Sequence, residues 1–169
     1  MTTENALRLT RIGLLFAVAL FFALVAFGNI TDYGSNFAFV RHVLKMDDTF
    51  RSPALMWRAI DTPWAYHAFY VLIIGWELLS AVLCGIGVFR LWKSRRDAAA
   101  FQAAKVIGVL GLGLGALLYA VAFMDVGGEW FAMWQSKVWN GQDKAHMFLL
   151  MIGLALLHLS QPERDASPA

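Results

Sequence analysis

Residues 66–92 read YHAFYVLIIGWELLSAVLCGIGVFRLW, an apolar run whose interior is interrupted by one acid, Glu77. At about 1.5 Å per residue such a run forms a helix of roughly 40 Å, enough to cross a hydrocarbon core about 30 Å thick. Trp64, Tyr66 and Trp92 stand where an aromatic belt meets the two interfaces. The stretch therefore reads as a membrane-spanning helix.

Working outward, three further runs have the same character: residues 12–28, 103–124 and 145–159. The last is short and reaches spanning length only with Lys144 and Ser160 in the headgroup zone. All four prolines, Pro53, Pro63, Pro162 and Pro168, lie outside the runs, so each run is free to stay helical. The first run, preceded by Arg8 and Arg11, has the plan of a signal peptide. Its small residues are wrongly placed for cleavage, however, and a retained helix is expected. The expected fold is all-α: an integral membrane four-helix bundle forming a single membrane domain over residues 1–169.

Composition agrees. The chain is 59% apolar and only 15% charged, well below the 25% or so of soluble domains. The one cysteine, Cys84, excludes an intrachain disulfide. Basic residues crowd the flanks of the runs, at Arg8, Arg11, Arg90, Lys93, Arg95, Arg96 and Lys105, and acids collect in the two longer connections. Such flanks suit anionic lipid better than nucleic acid. By the positive-inside rule both termini are expected in the cytoplasm.

Within the first long connection, Phe37, Val40 and Leu44 share one helical face and Arg41 and Lys45 another. Phe131, Trp134 and Val138 offer a similar spacing in the second, so two amphipathic segments are expected at the outer interface. Short echoes link the halves: Val25-Ala26-Phe27 with Val121-Ala122-Phe123, and His67-Ala68-Phe69 with His146-Met147-Phe148. They suggest a parallel tandem repeat of two-helix units, 12–92 and 103–160, which would place His67 and His146 at similar depth.

Counted from Tyr66, Glu77 falls about 17 Å along its helix, near the bilayer centre. A carboxylate there must face other helices, be neutral or find a donor; Ser80 and Tyr119 are candidate partners. His67, Tyr70, Glu77 and Cys84 align into a polar stripe. Three uses are open: a structural link between helices, a proton or ion path, and contact with a ligand such as a quinone head. His67 and His146 are candidate axial ligands for a haem b iron. Asp125 and Glu129 are four apart, but Gly127 and Gly128 between them argue against one regular helix. Gly108, Gly111 and Gly115, with Ala104, form a small-residue ridge for close helix approach, through Ala19 and Ala23 of the first helix or to a separate subunit. No paired-histidine zinc motif or phosphate-binding loop occurs, so no catalytic or metal residues are assigned.

The stretches GNITDYGSNFAFVRHVLKMD (28–47) and WRAIDTPWAYHAFYVLIIGWELLSAVL (57–83), with four spans and aromatic outer segments, resemble an uncharacterised family of small bacterial integral membrane proteins. The resemblance covers nearly the whole chain and implies the topology, with no activity to transfer. The leading expectation is a noncatalytic structural or accessory subunit, without a cofactor, packing among lipids in a larger membrane assembly or homo-oligomer. The alternatives are a haem- or quinone-binding electron-transfer protein and a small proton-coupled transporter using Glu77.

Overall fold

The computed structural model describes residues 2–163, which hold five α-helices and one π-helical segment. Helix α1 (Thr3–Thr31) begins at Thr2, whose hydroxyl accepts from the Asn5 backbone N–H (3.3 Å). The chain turns at Asp32 into α2 (Tyr33–Lys45), which stops at Met46 in the left-handed conformation. Helix α3 (Pro63–Ser94) places its proline in the first turn, where no backbone hydrogen bond is lost. Asp97 caps α4 (Ala98–Leu117) through the Ala100 N–H (2.9 Å). A π-helical segment (Leu118–Trp130) continues α4, and α5 (Gln142–Ser160) closes the chain.

Four helices are long and apolar enough to cross a membrane: α1, α3, α4 with its π continuation, and α5. They occupy the corners of a square, in which α3 and α5 each pack on α1 and α4 and hardly on each other. One face of each is buried. On α3 the inward positions are Tyr70, Ile74, Glu77, Ser80, Cys84, Gly87 and Leu91, spaced three or four apart, while Val71, Leu72, Leu79, Val82, Ile86 and Phe89 face outward. Lipid explains why the exposed side is as apolar as the buried one.

The glycine ridge of α4 has its partner inside the chain. A Cβ added at Gly108 would meet Leu15 of α1, and one at Gly87 of α3 would lie 2.7 Å from the Gly108 Cα. At Gly111 it would lie 2.8 Å from the Cys84 backbone nitrogen. The expected partners were α1 through Ala19 and Ala23, or another subunit; the backbone contact is instead with α3. Only residues without a side chain allow α3 and α4 to approach so closely.

A second core caps the bundle on the face away from the termini. Val40, Val43, Leu44 and Met46 pack there against Tyr66, Tyr70, Ile74 and the buried turn Phe131, Ala132 and Met133. The first amphipathic segment is thus a helix. The second is not: after Trp130 it forms one 3₁₀ turn, Met133–Gln135, tied to the other connection by Ser136 donating to Asp48 and by Phe50 N–H donating to Gln135 Oε1 (2.9 Å). Side-chain and backbone bonds to the facing loop replace the regular helix that the spacing suggested. The π-helix likewise runs on through Gly127 and Gly128, leaving Asp125 and Glu129 exposed on one continuous element.

Candidate functional site

Glu77 is 3% exposed and receives a hydrogen bond on Oε2 from Asn29 Nδ2 (2.8 Å). Asn29 Oδ1 in turn accepts from Asn36 Nδ2 (2.7 Å), and the Asn29 carbonyl accepts from Tyr70 O–H (3.3 Å). Three elements, α1, α2 and α3, are joined by this chain. The partner of Glu77 is therefore Asn29, in place of Ser80 or Tyr119; Ser80 is buried with no hydrogen-bond partner at all.

This contact sets Glu77 toward the capped end of the bundle. Asn29 lies two residues from the end of α1, roughly 27 Å along the helix from Arg11. On α3, outward apolar positions run from Phe69 to Trp92, with Glu77 roughly 22 Å from Trp92 and 12 Å from Phe69. Glu77 thus lies nearer the cap than the end that bears the termini, and Tyr66 and Tyr70 in the first turns of α3 belong to the cap core.

Beside Glu77 is a partly open cavity of about 260 Å³, lined by Asn29, Asn36, Tyr70, Tyr119, Lys144 and the rings of Phe39, Phe123 and Phe148. Among the described residues Glu77 Oε1 and the Tyr119 hydroxyl have no hydrogen-bond partner, although both residues are almost wholly buried. Next to it lies a second cavity, about 190 Å³ and almost entirely apolar, lined by Val43, Leu44, Phe69, Trp76, Val126 and Met133 among others. Phe39, Val40, Ile73 and Phe123 line both. The π-helix supplies Tyr119 and Phe123, and π-turns inside helices recur at functional sites. It starts where the Leu114 carbonyl accepts both the Leu118 N–H and the Trp76 indole N–H (2.9 Å).

The histidines are not brought together. His67 is exposed on α3, bonded through Nδ1 to the Tyr33 hydroxyl (2.8 Å) and stacked on Phe37 at 4.3 Å. His146 is exposed on α5, at the opposite corner of the square. His42 pairs with Asp47 (2.9 Å) and stacks on Trp139, while His158 Nε2 shares a hydrogen bond with Thr10 (2.9 Å). Among the described residues, no three of His, Cys, Asp and Glu gather where a metal ion could be held.

A second polar cluster closes the end of the bundle that carries the termini, and sequence reasoning missed it. Glu163, past the end of α5, accepts from Arg8 Nε (2.9 Å), from Lys105 Nζ (2.6 Å) and from Arg11 Nη1. Lys105 also donates to the Gln161 carbonyl (2.6 Å), and Arg11 to that of His158 (3.2 Å). Burial opposes the charge on Glu163, but hydrogen bonds from Lys105 and Arg8 and the nearby positive charges hold its carboxyl below the usual range. Arg8, Arg11 and Lys105 are thus buried ion-pair partners, where their positions suggested lipid anchors. The readable signal was Arg8 and Arg11 on one helical face, with an acid just beyond the last span.

Four apolar helices around buried polar contacts, with lipid-compatible outer faces, define a small polytopic α-helical membrane protein. Over residues 7–162 the chain matches the family described as predicted small integral membrane proteins, DUF2165, and it belongs to that family. No curated protein and no solved structure matches it.

Proposed function

We propose that the protein is a noncatalytic binding protein for a membrane amphiphile with a hydrogen-bonding ring head, such as a quinone, in a bacterial inner membrane with both termini cytoplasmic. The observation that carries this reading is the pair of cavities sharing four walls: one with a few polar groups, among them Glu77 Oε1 and the Tyr119 hydroxyl, on a largely apolar lining, the other almost wholly apolar. A ring head between Phe39, Phe123 and Phe148 would find donors in Tyr119 and Lys144 for its carbonyls and, in the quinol form, an acceptor in Glu77. Its tail would lie along Val43, Leu44 and Trp76. The basic residues on the face of the termini support the orientation.

The test is titration of the protein in lipid nanodiscs with a short-tailed quinone, read by quenching of tryptophan fluorescence. Saturable quenching is expected, with affinity for the quinone weakened up to about tenfold by Tyr119→Phe and affinity for its quinol weakened about tenfold or more by Glu77→Leu, since a hydrogen bond contributes about 0.5–1.5 kcal/mol between neutral groups and about 1.5–3 kcal/mol to a charged one. Quenching that rises without saturation, as partition into empty lipid does, or that neither substitution changes, would refute the reading. A Soret band in the same preparation, lost on His67→Ala or His146→Ala, would favour haem instead. A second reading, an accessory subunit of a larger assembly, draws on the exposed Phe50, Trp57 and Trp64 of the cap, each about 70% exposed. Stoichiometric copurification of a larger complex would support it.

A further inference from the structure

We infer that the face of the bundle bearing the termini binds the phosphate of an anionic phospholipid between the start of α1 and the α3–α4 turn. A cavity of about 250 Å³ lies there, lined by Asn5, Arg8, Leu9, Arg95 and Arg96, with no acid in its walls among the described residues. Arg8 is 7% exposed and is held in place from two sides: its Nε donates to Glu163 and its Nη1 to the Arg95 carbonyl (3.2 Å). Arg95 is anchored by an Nη1 bond to the Trp92 carbonyl (2.7 Å) and lies over the Trp92 ring at 4.2 Å.

Charge decides the sign of the ligand. Glu163 is shared among Arg8, Arg11 and Lys105, so the buried cluster keeps an excess of positive charge, and Arg95 and Arg96 add to it. An anion at the cavity relieves that excess. Position decides its source. Leu9 (42% exposed) and Trp92 (49%) flank the site on the lipid-facing sides of α1 and α3, so a phosphate bound there has acyl chains beside it. Guanidinium groups suit this role because their planar forks match phosphate oxygens. The site is at the opposite end of the molecule from Glu77 and is independent of the amphiphile cavity.

The test reconstitutes the full chain into phosphatidylcholine vesicles containing a minor fraction of phosphatidylglycerol, followed by gentle extraction and native mass spectrometry of retained lipid. Wild type is expected to retain phosphatidylglycerol preferentially, and retention to fall about fivefold for each of Arg95→Gln and Arg96→Gln. Arg96 is exposed, so its variant folds even if Arg95→Gln does not, and melting in pure phosphatidylcholine checks this. Inorganic phosphate in millimolar excess should leave retention unchanged; displacement by it would point to a soluble phosphate and overturn the lipid assignment. Equal retention of the two lipids by wild type, or undiminished retention by Arg96→Gln, would overturn the site.

Discussion

Glu163→Gln is expected to destabilise the protein by about 3–5 kcal/mol, the usual cost of removing one partner from a buried ion pair and leaving the others uncompensated. Three cations converge on this carboxylate, and Glu163 and Lys105 have side chains only 3% and 4% exposed. Lys105→Met should cost less, because it removes a buried charge from the side already in excess. The pH dependence has a definite sign. The carboxyl is held below its ordinary value, so its stabilisation is complete above the unfolded value of about 4.3 and is lost as pH falls through the lower folded value. Melting in detergent between neutral and acid pH checks both points: wild type loses stability on acidification, while Glu163→Gln starts lower and shows a smaller acid-dependent loss. Identical melting of the two proteins at neutral pH would show that the cluster contributes no net stability.

Gly111→Val and Gly108→Val should each cost about 3 kcal/mol or more, at the top of the range for overpacking. At Gly111 the new Cβ meets the Cys84 backbone nitrogen at 2.8 Å, which no rotamer change relieves; at Gly108 it meets the Leu15 side chain, itself fully buried. Gly113→Ala is the control. It lies two residues past Gly111 on the same helix with nothing within 4 Å of its added Cβ, and alanine is the better helix former. Melting of the three variants in one detergent should rank Gly113→Ala at or above wild type and the other two well below. Equal melting of Gly111→Val and Gly113→Ala would mean that α3 and α4 are not in close contact.

The spans were legible because lipid imposes its demand locally. A run such as 66–92 or 103–124 declares itself without reference to any other segment, and α2 was legible for the same reason, through Phe37, Val40 and Leu44 on one face. The π-helix was not, since an apolar run that continues a helix reads the same whether its backbone bonds reach four residues back or five. Nor was the second cap segment, where Phe131, Trp134 and Val138 keep a helical spacing but the Val138 and Trp139 N–H groups donate to the Ser136 hydroxyl, and the Ser136 and Gln135 side chains bond to Asp48 and Phe50 of the facing loop.

At the candidate site the sequence marked Glu77, Tyr70 and Tyr119 and overlooked Asn29 and Asn36, which look like ordinary flanking residues until α2 folds back over the end of α1. It could say that Glu77 needed a partner, because an unpaired carboxylate in lipid costs several kcal/mol. Only the tertiary structure could say that the partner is Asn29, near the capped end of the bundle. Likewise His67 and His146 match in one dimension, and only the square packing of α1, α3, α4 and α5 separates them. Hydropathy is a property of each segment against its solvent, and so the sequence by itself determined that this chain crosses a membrane, how often, and with which side chains needing company. Pairing is a property of two segments at once. The company each polar group keeps, Glu163 with three cations and Glu77 with Asn29, was decided only when the helices met.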